Sequence, residues 1–430
     1  ASDLALRGEG GCVVIRGEGA DNNVIGDNSI GGSLADGNAA GGVLVENGPD
    51  NTRVGCSPGN VRWFYVSGNG GNGITVLGPS TTGVSSQGLE VGAQAPNLGH
   101  GIFVDGATDY WINKPLVVNN GGDGIRVKSG GRVRFDFNED SQFTISNNGG
   151  LAFNLEAPGA PASGVTPNDV GDGDSGPNDL LNTPEIASVT SLGGGLVRVD
   201  GTACANCQVT IFRVIDIDAS GSGEASSMLT MTYANGSGAF SATMSLPSDA
   251  YITANATDGA NNMSEFSPNF AGPRSLLVDT KLDVTHATPC DRSTPADCSL
   301  RDALTVAVSG DTVLFDSSIF SNSAGVIQLT SALPPLSQGV VSIQGNGAGT
   351  TIIDGASAGA NVSGFVVTSS SNTISRLTIR GFAGTGVWVK AANNSLYSLQ
   401  IDGSGGDGIV IDDVANNRVG QCGNPDAGNS

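Results

Sequence analysis

One short phrase recurs along this chain and leaves few folds open to it: a glycine-led turn that opens into a β-branched strand. The copies are GGCVVI (Gly10 to Ile15), AGGVLV (Ala40 to Val45), GNGITV (Gly71 to Val76), GHGIFV (Gly99 to Val104), GDGIRV (Gly122 to Val127) and GGLAFN (Gly149 to Asn154). After a gap come GTGVWV (Gly384 to Val389) and GDGIVI (Gly406 to Ile411). Their first apolar residues are Val13, Val43, Ile74, Ile102, Ile125, Leu151, Val387 and Ile409. The steps run from 22 residues (Val387 to Ile409) to 31 (Val43 to Ile74). A period in this range indicates a solenoid. Alternation after each turn makes the unit a strand, and Gly or Asn supplies the positive-φ corner. Three short strands and three turns fill such a period, which predicts a right-handed parallel β-helix with a Val/Ile/Leu stripe inside. Asn at repeated corners (SNN, VNN, ANN) suits amide ladders stacked from coil to coil.

Composition agrees. The 66 glycines, with few charged residues, fit a turn-rich all-β protein. With 430 residues the chain holds more than one domain. Lys+Arg of 19 against Asp+Glu of 41 gives 19 − 41 = −22. That charge repels phosphate backbones and anionic lipid, so nucleic acid and membrane surfaces are excluded as expected partners. No apolar run is long enough to span a bilayer, so no membrane insertion is expected.

The repeat breaks between about Ala157 and Gly364. The expected organisation is a β-helix over 1–157, an acidic Gly/Pro linker over 158–182, a β-sandwich over 183–272, and a helix-capped second β-helix over 273–430. NDVGDGDSGPND (Asn168 to Asp179) is the linker; VRVDGTACANCQVTIFRV and GAFSATMSLPSDAYITANATD alternate as sandwich strands do. One helix is expected, from Ser299 to Val308. Ser299 is a good N-cap with Asp302 three positions on, and Leu300, Ala303, Leu304 and Ala307 form its apolar face. Apolar runs (VIQLTS, VVSIQG, TIIDG, GFVVTS, NTISRLTIRG) then resume as new coils.

CSLRDAL, following an upstream Cys, resembles the CSLREA-type opening segment of bacterial secreted β-helix proteins. NDVGDGDSGPNDLLNTPEI and ITANATDGANNMSEFSPNF resemble the acidic linker and closing strand of Ig-like domains joined to such β-helices. The resemblance implies an exported, extracellular or cell-surface protein, and it names no reaction or substrate. Cysteine usage agrees with export. On that compartment argument Cys204 with Cys207, and Cys290 with Cys298, are expected as local disulfides. A redox CxxC would need a helix after the first Cys, where this chain has the strand sequence QVTIF; zinc would need ligands that the distant His100 and His286 do not supply. Cys12, Cys56 and Cys422 are left over, an odd number.

Two kinds of chemistry are readable. Asp169, Asp172, Asp174 and Asn178 offer hard oxygen ligands in a loop that Gly171, Gly173 and Gly176 allow to curl, which suits Ca²⁺; a solvated acidic linker is the plainer alternative. GHG at Gly99 to Gly101 and the pair Asp412–Asp413 resemble pieces of a polygalacturonase signature. However, His100 occupies the repeat slot of Asn72 and Asp123, which makes it a corner residue, and no second carboxylate pair sits at matching phase. The expectation is therefore a structural protein and not an enzyme, with a polysaccharide-degrading or glycan-binding β-helix, its partners surface glycans, as the alternative.

The final stretch, ANNRVGQCGNPDAGNS (Ala415 to Ser430), matches the start of an internal one, DNTRVGCSPGNVRWFYVSGNGGNGITV. From Asn60 to Ile74 is 14 residues; from Asn429 across a junction to Val13 of another copy is (430 − 429) + 13 = 14. Val43 to Cys56 and Ile409 to Cys422 are both 13. The expectation is head-to-tail joining of copies, with DLALRG standing where RWFYVSG stands. Leu4, Leu6, Cys12 and Val13 would meet Val419, Cys422 and Asn429.

Overall fold

The computed structural model describes residues 5–6, 13–26, 29–32, 37–55, 64–129, 131–136, 143–157, 164–193, 195–217, 219–290, 294–321 and 325–420. Leu4, Cys12, Cys56, Cys422 and Asn429 lie outside the described residues, as does the side chain of Leu6. Among the described residues the fold is all-β, a parallel β-helix of about fourteen turns with one α-helix. By contact it divides into two compact units. The first comprises Ala1–Ser188, Arg198–Ser245 and Ala250–Ala271; the second comprises Val189–Val197, Leu246–Asp249 and Gly272–Ser430.

In the first unit the glycine-led phrases form one ladder. Strands Val13–Arg16, Val43–Glu46, Ile74–Leu77, Ile102–Asp105, Ile125–Lys128 and Phe153–Leu155 pair in parallel, one per coil. The sixth rung corrects the sequence reading. Phe153, not Leu151, is in register with Ile125. The glycine turn is the same, but the strand starts two residues later, so the inward side chain is a phenyl ring. Two further faces complete each coil. Arg53–Gly55 and Phe64–Ser67 serve the second coil, and the long strands Ser85–Val91 and Tyr110–Val118 run through both faces of the next two. Inward residues are sealed: Ile74, Ile102, Ile125, Val76, Val104 and Val127 are all 0 % exposed. Close stacking of the coils explains why glycine leads each turn. A Cβ on Gly71 would fall 1.8 Å from the carbonyl oxygen of Ala40 in the coil before.

The amide ladder is present and longer than the NN corners suggested. Nδ2 of Asn38, Asn69, Asn97 and Asn120 donates to Oδ1 of the next, ending at Asn148, over 2.7 to 2.9 Å. In the second unit Asn372 Nδ2 donates to Asn394 Oδ1 (3.1 Å), and the backbone N of Asn394 donates to Asn417 Oδ1 (2.8 Å). These amides are buried where coils cover them. They satisfy backbone groups that the corner would otherwise orphan.

The sandwich is built onto the last coil of the first β-helix. Strand Ala225–Tyr233 runs antiparallel to Thr144–Ser146, with Ile145 opposite Ala225, and then pairs with Gln208–Val214, Tyr251–Thr257 and Phe270–Ala271. A second sheet contains Glu185–Gly193, Leu196–Thr202 and Ala239–Ser245. Phe143 of the β-helix packs against Phe212 (4.9 Å between centroids) and Phe266 (6.4 Å) of the sandwich, and on its own side meets Phe135 edge-on (5.2 Å), which in turn meets Phe153 (5.2 Å). One hydrophobic core therefore runs through both.

In the second unit Ser275–Val278, Thr312–Phe315, Ser342–Gln344, Thr373–Arg380, Ser395–Asp402 and Arg418–Val419 make one parallel face. Phe365–Val367, Val387–Val389 and Ile409–Ile411 make another. The helix spans Leu300–Val306 with a complete Ser299/Asp302 capping box. Leu300, Ala303, Leu304 and Ala307 are buried in the core that holds Leu276, Val278 and Val313, beside the first rung. Asp302 also accepts from His286 N and Nδ1. Burial alone would raise its pKa, but the bonds from His286 and Ser299 outweigh it and hold the carboxyl below its usual range. Cys204–Cys207 and Cys290–Cys298 are disulfides, with Cα atoms 5.4 and 4.2 Å apart. No helix among the described residues is long and apolar enough to cross a membrane.

Candidate functional site

Three of the four expected metal ligands come together. The carboxylates of Asp169, Asp172 and Asp174 lie within 4.8 Å of one another, all exposed. The loop is tied by Asn182, whose N donates to Asp172 (2.8 Å) and whose Nδ2 donates to the Asp169 carbonyl (2.9 Å). Slight burial first, then repulsion from Asp169 and Asp172, raises the pKa of Asp174. Asn178 is not with them. It is 2 % exposed, and its amide is spent on the fold. Oδ1 accepts from Val133 N (2.9 Å), and Nδ2 donates to the carbonyls of Val133 (2.8 Å) and Met263 (3.0 Å). It joins the β-helix to the sandwich, a role that a linear spacing of oxygen ligands does not reveal.

His100 is a corner residue. Each side chain in its slot accepts the amide of the next coil: Asn72 Oδ1 from His100 N (2.9 Å), His100 Nδ1 from Asp123 N (2.9 Å), and Asp123 Oδ1 from Leu151 N (2.8 Å). An Nδ1 that accepts carries no proton, so the ring is neutral with its hydrogen on Nε2. Burial, working against the pull of Asp123, lowers the pKa of His100 and favours that state. Asp412 accepts from Trp388 Nε1 (3.3 Å) in the second unit, so GHG and the Asp412–Asp413 pair belong to different units. No protein-family model matches the chain, and no curated protein matches it significantly.

Two sandwich carboxylates that sequence reasoning missed clamp the end of the first β-helix. Glu224 accepts the Asn147 amide. Glu265, 2 % exposed, accepts the amides of Leu155 and Thr166, both at 2.7 Å. Burial first, with Asp123 adding repulsion, pushes Glu265 up to about 7 against the pull of those two amides. A carboxyl raised from 4.5 in the unfolded chain keeps its proton only in the fold, so its contribution is lost as pH rises from 4.5 through 7. The first unit is expected to lose on the order of 3 kcal/mol across that window through this group. Glu265→Gln should flatten the slope in urea titrations at stepped pH. A slope unchanged by the substitution would show that another group controls it. The acid signal in SEFSPNF was visible, but nothing in its spacing indicated burial.

The last described coil differs from those before it. The inward column Leu276, Val313, Ile343, Ile374, Leu396 is 4, 0, 0, 0 and 2 % exposed, and its next member, Val419, is 48 % exposed. Ile411 is 41 % exposed where its column neighbour Val389 is 1 %. At the other end, strand Ala5–Leu6 pairs with Ser29–Gly31, which pairs with Phe64–Ser67. Ala5–Leu6 and Phe64–Ser67 thus lie in one parallel ladder, two rungs apart. Val13, on the outermost rung of its ladder, is only partly buried.

Proposed function

We propose that this is an extracellular structural protein, not an enzyme, whose copies join head to tail by completing a β-helix coil to form a filament or surface fibre. The observation that supports the reading is that, among the described residues, the last rung of a sealed column is exposed: Val419 (48 %) after Leu396 (2 %). An exposed apolar rung is a template on which another strand can add. The parallel β-helix and two disulfides are consistent with an extracellular protein. The resemblance to CSLREA-type β-helix proteins and their Ig-like domains supports the same compartment. A contact that repeats head to tail does not close on itself, so its product is a fibre.

Negative-stain microscopy tests this together with a denaturing gel. Fibres that fall to a single band of 42.9 kDa are expected. Deleting residues 1–11 should leave both units folded and abolish them. Only single particles at high concentration, or fibres indifferent to the deletion, would sink the reading.

Ca²⁺ on Asp169, Asp172 and Asp174 belongs to the same proposal. Three hard carboxylates in a loop suit this ion, and binding would tether the linker where it meets the sandwich. Adding Ca²⁺ is expected to raise the melting temperature of the first unit by a few degrees, about what RT ln(1 + [L]/Kd) gives for modest saturation. Asp172→Asn should remove the gain. A melting curve indifferent to Ca²⁺ and to chelator removes the ion from the account.

A further inference from the structure

We propose that a cleft on the outer face of the second β-helix binds a neutral glycan chain. The cleft, of about 600 Å³, has its floor on the outward rows of one parallel face: Thr312, Ser342 and Thr373 in one row, Gln344 and Tyr397 in the next. Its wall carries two exposed apolar side chains, Leu192 (52 %) and Leu196 (43 %).

Three observations select the ligand class. First, none of the described residues that line the cleft is Asp, Glu, Lys, Arg or His, in a chain of net charge −22. Nothing there compensates a phosphate, sulfate or uronate, and the surrounding charge repels them. Second, the floor strands are hydrogen-bonded on both sides. Ser342 lies between Thr312 and Thr373, and Thr373 between Ser342 and Ser395. The floor therefore offers a peptide no main-chain edge on which to add a strand. Third, the side chains of Ser342, Gln344, Thr373 and Tyr397 are not tied up in hydrogen bonds among the described residues. Unspent hydroxyl, amide and phenol groups beside apolar surface match the alternating O–H and C–H faces of an uncharged sugar. The inference rests on the extracellular reading and not on head-to-tail joining, so loss of fibres would leave it standing.

Calorimetry of the full chain with soluble β-glucan, mannan and xylan tests it, with polygalacturonate as the charged control. Saturable binding of at least one neutral polymer, insensitive to added salt, is expected. Tyr397→Ala and Gln344→Glu should each weaken it by about tenfold or more. If Tyr397→Ala fails to fold, Gln344→Glu, a change on the outer face, decides. Absence of binding to all three neutral polymers, preference for polygalacturonate, or parental affinity in the folded variants would each overturn the proposal.

Discussion

Asn97→Ala is expected to be among the most destabilising single substitutions in the first unit, at about 4 kcal/mol. Asn97 is 0 % exposed and stands mid-ladder. Its Oδ1 accepts from Asn69 N (3.0 Å) and Nδ2 (2.7 Å), while its Nδ2 donates to the Val66 carbonyl (3.0 Å) and Asn120 Oδ1 (2.8 Å). Removing it takes a partner from four groups at once: the Val66 carbonyl keeps Gly92 N (3.0 Å) and Asn69 Nδ2 keeps the Ser67 carbonyl (3.4 Å), but Asn69 N and Asn120 Oδ1 are stranded, and each stranded group costs about 1–3 kcal/mol when no water can reach it. The costs overlap, so the total falls below their sum. Asn417→Ala provides the contrast. Asn417 also accepts from a ladder member, Asn394 N (2.8 Å), but it is only half-buried, and water can reach the groups it leaves. That change should cost about 1 kcal/mol or less. Urea denaturation of the two variants separates the cases. Equal losses would mean that the ladder contributes through corner geometry and not through amide satisfaction.

Leu304→Asp should be comparably severe in the second unit, about 4 kcal/mol or more. The substitution removes a side chain that is 8 % exposed from the core of Leu276, Val278 and Val313, and places a carboxylate there instead. The neighbouring basic side chains do not rescue it: Arg301 is held by Asp283 (2.8 Å) and His286 by Asp302 (2.7 Å). Leu304→Met keeps volume and polarity and should cost less than about 1.5 kcal/mol. Thermal unfolding and binding of a hydrophobic dye report the outcome. A soluble Leu304→Asp variant as stable as the parent would mean that the helix only rests on the β-helix and does not seal its first rung.

How much of this was readable from the chain depended on the range of the interaction. The glycine-led strands were legible because stacking repeats a local demand: Gly71 must clear the Ala40 carbonyl, and its counterparts face the same neighbour one coil away. The helix was legible because Ser299, Asp302 and the Leu300/Leu304 face lie within seven residues of one another. The amide ladder was partly legible. Asn120 and Asn148 stand in NN corners, but Asn69 and Asn97 stand in GNG and PNL, where only the coil period identifies them. What escaped were contacts between distant segments. Glu265 reaches Leu155 across 110 positions, and Asn178 reaches Val133 across 45. Both Glu265 and Asn178 stand in the stretch where the repeat is broken, so no periodicity advertised either contact. Asn178 misled for the same reason, since an oxygen beside three aspartates reads as a ligand until its amide is traced.

The antiparallel strand at Ala225 has a consequence for how such a chain changes over evolutionary time. A parallel solenoid has no intrinsic length, and a duplicated coil adds one rung to each face without disturbing its neighbours. Once Thr144–Ser146 is paired with a strand of opposite direction, that side is closed to further rungs. Duplications of whole coils ahead of it, among the repeats from Val43 to Lys128, would leave the Phe143–Phe212 stack and the Glu265 clamp untouched. The sandwich therefore fixes where the first β-helix stops and leaves its coil number free to vary, so that lineages can change the reach of the molecule in whole-coil steps.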